Sequence, residues 1–260
     1  MSETRWRLGT PNLSANDLVL RRLGSLAPLS TLDERRVLAL PLAQRANPAE
    51  TELATAGAVG TRPRFLIQGW ACRLRTLPDG RRQIFHLVLP GDLIGSCLRP
   101  HQPAAAATVA LTRTETTSAA GLAALLGESS HAGSSLATAC AALEQQGETL
   151  LLDQITRLGQ QTAYERTAHL LLEVWERLAA VGLAADNTFQ WPLRQDTVAD
   201  LLGLSVVHVN RTLQQLRRDG VIELRGGIAV LLQPERLREA AEVAPTRLRQ
   251  TATVDFARAN

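Results

Sequence analysis

The sequence predicts an α+β chain: N-terminal helices, an antiparallel β domain, a long helical stretch, and a compact helix–turn–helix–hairpin unit near the C-terminal end. Three observations predict it. Between Thr55 and about Thr117, short apolar runs alternate with Gly, Pro and Asp turn signals. From Ala119 to about Val181, apolar residues recur at helical spacing. After Leu193, glycines punctuate two short helical stripes and a two-residue hairpin loop. The 260 residues exceed one typical domain, so two domains or one large one are expected. The 45% apolar fraction suits ordinary cores and excludes a disordered chain.

Residues 13–44 read as helical. Ser30-Thr31-Leu32-Asp33 has the spacing of an N-cap followed by an acid in the first turn, and Leu32, Val37, Leu38 and Leu40 fall mostly on one side. In the β region, the runs Arg64–Ile67, Trp70–Arg75 and Ile84–Leu89 are separated by Gln68-Gly69, Pro78-Asp79-Gly80 and Pro90-Gly91-Asp92. Alternation puts Arg73 and Arg75 on one face and sends Cys72 and Leu74 into a core. Arg62, Arg64, Arg73, Arg75, Arg81 and Arg82 face only Asp79 in sequence, and they read as the solvated outer face of the strands. An anionic effector or an acidic surface of RNA polymerase is the second option for them.

In the next helical stretch, Leu136, Leu143 and Leu150 repeat at seven, with Leu151, Ile155 and Leu158 extending the stripe. That pattern supports an interhelical seam, and equally a long helix packed on its own domain. Further on, Gln195–Leu202 reads as a short helix, Gly203-Leu204-Ser205 as a tight turn with Ser205 as N-cap, and Val206–Asp219 as a second helix. Its buried stripe is Val209, Leu213 and Leu216, and Gly220 ends it. Two strands around Gly226-Gly227 complete a winged helix-turn-helix. The free face of the second helix then holds Val206, Val207, Asn210, Arg211 and Gln214. Arg pairs bidentately with guanine, Asn with adenine, and an aliphatic side chain with the thymine methyl. Two valines side by side on an exposed helix start favour DNA as their partner.

Other chemistry is sparse. No run of eighteen apolar residues occurs, and Met1–Trp6 lacks the pattern of a secretory leader, so a soluble, cytoplasmic protein is expected. Cys72, Cys97 and Cys140 form no C-x-x-C and no disulfide framework. His86, His101, His131, His169 and His208 show no metal-binding spacing; Cys97 and His101 are a weak metal or haem pair, and no metal or cofactor is expected. Signatures of nucleophilic hydrolases and nucleotide-binding enzymes are missing, which points away from an enzyme. The net charge of +3, carried by Arg with no Lys, tolerates nucleic acid without demanding it, and a GC-rich gene would produce the same bias.

The stretch RQDTVADLLGLSVVHVNRTLQQL, residues 194–216, resembles the helix-turn-helix signature of the Crp/Fnr family of bacterial transcription regulators. GWACRLRTLPDGRRQIFHLVLPGDLIG, residues 69–95, is similar to that family's β-roll, and TRLGQQTAYERTAHLLLEVWERL, residues 156–178, to the end of its dimer helix and the first helix of its DNA domain. The resemblance runs over about residues 20–240 in the same order. It implies an N-terminal cyclic-nucleotide-binding-like β-roll, a long dimerisation helix and a C-terminal winged helix-turn-helix. The corresponding division is a sensory domain over 1–132, a dimer helix over 133–161, a DNA-binding domain over 162–240 and a tail over 241–260.

Several positions depart from the family pattern. Where nucleotide-binding members carry Gly-Glu and then Arg-Ser, this chain has Gly95-Ser96 and an alanine run that includes Ala105 and Ala106. The effector pocket is therefore expected to be degenerate, with no binding of cyclic AMP. No cysteine precedes Cys72, which argues against the family's N-terminal iron–sulfur cluster. At the head of the recognition helix Val206, Val207 and His208 replace the usual polar residues, and only Arg211 matches the common arginine. Arg194 stands where Ser or Thr often caps the preceding helix. DNA contacts are expected from Ser205, Val206, Val207, His208, Asn210, Arg211 and Gln214, with Gln195, Thr212 and Arg217 facing phosphates. The resulting expectation is a homodimeric regulator that binds an inverted-repeat operator and works with RNA polymerase. The alternative is a ligand- or redox-sensing module whose winged helix contacts protein.

Overall fold

The computed structural model of the chain describes residues 13–60, 62–99, 102–128 and 133–241. The N-terminal segment read for a leader, His101, His131 and the tail after 241 lie outside the described residues.

The first helical region is two helices rather than one. Helix α1 (Ala15–Gly24) is capped by Ser14, and α2 (Thr31–Leu38) by Ser30, whose hydroxyl accepts from the Asp33 amide. The N-cap expectation therefore holds, but the apolar stripe does not. Leu32 and Leu38 are 58% and 47% exposed, and α2 buries Val37 and Asp33 instead. Asp33 turns inward because its carboxylate accepts from the Ser135 hydroxyl at 2.6 Å and the Leu136 amide at 3.2 Å, which ties α2 to the start of a later helix.

Among the described residues eight strands follow: β1 (Gln44–Asn47), β2 (Glu52–Ala54), β3 (Arg64–Gln68), β4 (Ala71–Thr76), β5 (Arg82–Val88), β6 (Leu93–Ile94), β7 (Ala107–Ala110) and β8 (Thr114–Ser118). They pair antiparallel in two sheets, β1-β8-β3-β6 and β2-β7-β4-β5. Leu53, Leu66, Val88 and Ile94 are among the residues sealed between them. The β region starts at Gln44, earlier than the composition change at Thr55, because Gln44–Asn47 carries no apolar alternation and is held by its ladder with β8. Cys72 and Leu74 point into the core as expected.

The six arginines of this region do not form one solvated face. Arg64 donates to the Leu53 carbonyl, Arg75 lies over the Phe85 ring at 5.8 Å, Arg81 pairs with Asp79, and Arg82 reaches Asp200 at 2.8 Å in the C-terminal half. Arg73 lines a pocket between the β-roll and the helices packed on it.

Helices α3 (Ala120–Gly127), α4 (Ser135–Gln160) and α5 (Ala163–Ala180) come next. Gln161 and Thr162 separate the last two; Thr162 caps α5 in a reciprocal box with Glu165. Leu136, Leu143 and Leu150 are buried within the chain, so that stripe is not the seam to a second copy. The opposite face of α4 is open. Ala141, Gln145, Glu148, Leu152, Ile155 and Gly159 are exposed and recur at alternating spacings of four and three, with Leu152 58% and Ile155 67% exposed.

The C-terminal part comprises β9 (Ala184–Ala185), β10 (Thr188–Gln190), α6 (Gln195–Leu202), α7 (Val206–Arg218), β11 (Ile222–Arg225), β12 (Ile228–Leu231) and α8 (Pro234–Ala241). Its sheet runs β11-β12-β10-β9, so the predicted hairpin gains a second, short one that the sequence did not announce. Trp191 stacks edge-on against both Phe189 and Trp70, each at 6.1 Å, and joins this sheet to the β-roll through one apolar core. No helix among the described residues is long and apolar enough to cross a membrane.

Candidate nucleic-acid interface

Helices α6 and α7 match the predicted boundaries, and local chemistry explains the turn between them. Gly203 adopts φ 63°, ψ 37°, a left-handed conformation that disfavours any residue with a Cβ. A Cβ there would also meet Leu158 at 3.1 Å. Ser205 then accepts from the His208 amide at 3.2 Å and starts α7. Arg194 heads α6 with no side-chain cap.

Val209, Leu213 and Leu216 are buried, which leaves one face of α7 open. At its N-terminal end Val206 is 45% and Val207 71% exposed, with His208, Asn210 and Arg211 exposed beside them. Asn210 accepts weakly from Gln214 at 3.3 Å, one turn on. Arg211 makes no hydrogen bond or ion pair among the described residues, so its five donors are free. The exposed helix start also presents the positive end of the helix dipole, which favours a phosphate nearby.

The flanking candidates divide. Gln195 is exposed on the first turn of α6. Arg217 is exposed and donates to the Leu224 carbonyl at 3.2 Å, which braces the wing. Thr212 is not available: it is buried, and its hydroxyl donates to the His208 carbonyl at 2.9 Å. It sits three residues after Val209 and so shares the inner face. Arg225, exposed at the wing beside Gly226-Gly227, is a candidate that sequence reasoning missed, although its place at the hairpin tip was a visible signal.

The end of α6 is tied to the β-roll through a ladder of buried polar and charged side chains. Gln154 of α4 donates to the Leu201 carbonyl at the end of α6 at 2.5 Å and accepts from Arg157 at 2.7 Å. Arg157 pairs with Glu173 of α5 at 2.6 Å, and Glu173 with Arg177 at 2.8 Å. Arg177 and Arg22 then share Asp92 in the β5–β6 turn. Burial alone would raise the Glu173 carboxyl; Arg157 and Arg177 outweigh it and hold it down at about 2. None of this ladder was legible beforehand, since its members are scattered from position 22 to position 201.

Gly95, Ser96, Ala105 and Ala106 line a cavity of about 320 Å³ between the β-roll and α4. The Ser96 hydroxyl is committed to Glu144 of α4, which also takes Arg99 at 2.9 Å. Among the described residues, no group of three or more His, Cys, Asp or Glu side chains is placed to hold a metal ion.

The Crp-like helix-turn-helix domain matches residues 165–240. The nitrogen fixation regulation protein FixK of Bradyrhizobium diazoefficiens is 33% identical over 177 residues, covering 68% of this chain and 72% of that protein. The chain belongs to the Crp/Fnr family. The transcriptional activator protein FnrL of Cereibacter sphaeroides is 35% identical over 172 residues, 62% of this chain and 64% of that protein, slightly under two thirds of its length. Among solved Crp/Fnr structures, FixK2 from Bradyrhizobium japonicum has a TM-score of 0.67 at 26% identity, covering 79% of this chain and all of that one. A Crp-family regulator from Thermus thermophilus, at TM-score 0.56 and 20% identity, shares the fold.

Proposed function

We propose that this Crp/Fnr chain is a homodimeric, sequence-specific DNA-binding transcription regulator that reads an inverted-repeat operator with α7. The observation that carries it is the free head of α7, where Val206, Val207, Asn210 and Arg211 stand exposed on a helix whose opposite face is buried. Val206 and Val207 suit thymine methyls, Arg211 guanine and Asn210 adenine. His208 and Ser205 border that patch, Gln214 extends it, and Gln195, Arg217 and Arg225 are placed for phosphates. Thr212 drops out. The relatives named as transcriptional activators and regulators support a regulator rather than an enzyme. Action in the cytoplasm, with RNA polymerase as partner, is part of the same proposal. The division at 132, 161 and 240 follows the same reading.

Dimerisation is assigned to the exposed face of α4, with Leu152 and Ile155 at its apolar centre. Cyclic AMP is not its effector, because the alanine run supplies no cation or hydroxyl for a phosphate. Immunoprecipitation sequencing of bound DNA, with analytical ultracentrifugation of the purified protein, tests this function. A dimer and an inverted repeat with half-sites about 34–36 Å apart are expected. A stable monomer at micromolar concentration with and without DNA, or enriched sites without two-fold symmetry, would overturn it.

A further inference from the structure

Val206 and Val207 open α7 side by side, 45% and 71% exposed. Exposed apolar residues scattered singly are ordinary on a protein surface. Among the described residues, no other two large exposed apolar side chains are consecutive in sequence. The pair does nothing for the helix itself, since valine is one of the weaker helix formers. What valine brings is rigidity: its χ1 has one strongly preferred well in a helix, so its methyls are fixed before any partner arrives.

The surroundings of the pair identify what it faces. Arg211 stands one helical turn after Val207, and side chains at that spacing have Cβ atoms about 5–6 Å apart. Its guanidinium has no partner among the described residues, whereas Asn210, one turn after Val206, is steadied by Gln214 at 3.3 Å. The group that fits this face carries a methyl directly beside hydrogen-bond acceptors. In the major groove that group is the C5-methyl of a pyrimidine next to a guanine, whose O6 and N7 take the guanidinium. Successive base pairs lie about 3.4 Å apart, so both side chains reach neighbouring steps. Valine neither donates nor accepts a hydrogen bond, so it registers the methyl and ignores the group at C4. That group is an oxygen in thymine and an amine in cytosine, and a carboxylate at position 207 would tell them apart.

We propose that Val207 reads the C5-methyl group itself, so that its contact is the same with thymine and with 5-methylcytosine beside the guanine of each half-site. Val206 widens the apolar surface around that methyl. Methylation of a cytosine at this position then strengthens binding, which makes the regulator responsive to the methylation state of its own operator. The inference rests on α7 reading bases and goes beyond it in naming the chemical group that is read.

Fluorescence anisotropy of the full chain against synthetic duplexes of the immunoprecipitated operator tests it. Each thymine of one half-site is replaced in turn by deoxyuridine, which removes the methyl and nothing else. One thymine, beside the guanine, should be sensitive, with affinity falling about fourfold for one buried methyl. At that position the gain from cytosine to 5-methylcytosine should match the gain from uracil to thymine within about twofold. Comparing the two gains cancels any contact to the opposite purine, which differs between the pairs. Val207→Ser should abolish both gains, and Val59→Ser, 68% exposed between β2 and β3, should keep them. Thermal unfolding of each variant verifies the fold, and the deoxyuridine series needs no variant. Operator binding indifferent to every methyl would overturn the inference alone. So would 5-methylcytosine bound no better than cytosine, or gains that survive Val207→Ser in folded protein. A wild-type chain that does not prefer the operator over scrambled DNA would overturn the base-reading function and this inference with it.

Discussion

Glu173→Gln removes the charge at the centre of the buried ladder while keeping the side chain's shape. In the native chain its two carboxylate oxygens serve two guanidinium groups, Arg157 at 2.6 Å and Arg177 at 2.8 Å. A glutamine offers one carbonyl and turns an NH2 toward the other arginine. Arg177 keeps Asp92 as a counter-charge, so the loss falls mainly on Arg157, which is 1% exposed and has only the neutral Gln154 left. Removing one partner of a buried ion pair costs about 3–5 kcal/mol, because the remaining charge stays desolvated and unpaired. That is a large share of the roughly 5–15 kcal/mol by which a typical protein is stable. Urea unfolding followed by far-ultraviolet circular dichroism, at one fixed protein concentration for wild type and variant, measures it. Asp79→Asn, which breaks the exposed pair with Arg81, is the comparison and should cost no more than about 1 kcal/mol. If Glu173→Gln cost no more than Asp79→Asn, the ladder would not hold α4 to α5 as described.

Two further outcomes follow from the same geometry. His86 and His169 are held neutral, with pKa values pushed down to about 3 and about 4, by burial first and then by neighbouring arginines. The unfolded chain takes up these protons near pH 6.5 and the folded chain does not, so stability falls as pH drops through that window. The loss is about 2 kcal/mol per histidine between pH 7 and pH 5, and equal unfolding midpoints at the two values would contradict it. At the exposed face of α4, Ile155→Glu places a charge at the centre of the proposed seam and should raise the dimer dissociation constant at least about tenfold by ultracentrifugation. Leu143→Glu, on the buried face, should instead unfold the chain; an unchanged dimer in folded Ile155→Glu protein would move the seam elsewhere.

The parts legible in the sequence were those governed by short-range chemistry. The α6–turn–α7–hairpin unit needs a left-handed Gly203, a capping Ser205 and a four-and-three apolar stripe, all visible as residue types at fixed offsets. Thr212 was misassigned because it is polar, although its position three after Val209 places it on the inner face. The Leu136/Leu143/Leu150 repeat gave a correct helix and an ambiguous partner. Heptad spacing states that a stripe is buried, not whether a sheet of the same chain or a second copy buries it. The strand Gln44–Asn47 owes its existence to pairing with β8 and left no local trace. The nearness of Arg73 and His86 was invisible for a related reason, since they become neighbours only through the register of β4 on β5.

If α7 reads bases with its exposed N-terminal face, Arg211 is the side chain whose loss must show it. Fluorescence anisotropy of wild type and Arg211→Ala, each titrated against the immunoprecipitated operator and a scrambled duplex at one salt concentration, is the measurement. Arg211 is exposed and off the buried stripe, so the variant should fold normally. A loss of about 1–3 kcal/mol on the operator, with affinity for scrambled DNA little changed, is the predicted result. Unchanged operator affinity, or an equal loss on both duplexes, would contradict the placement of α7 against the bases.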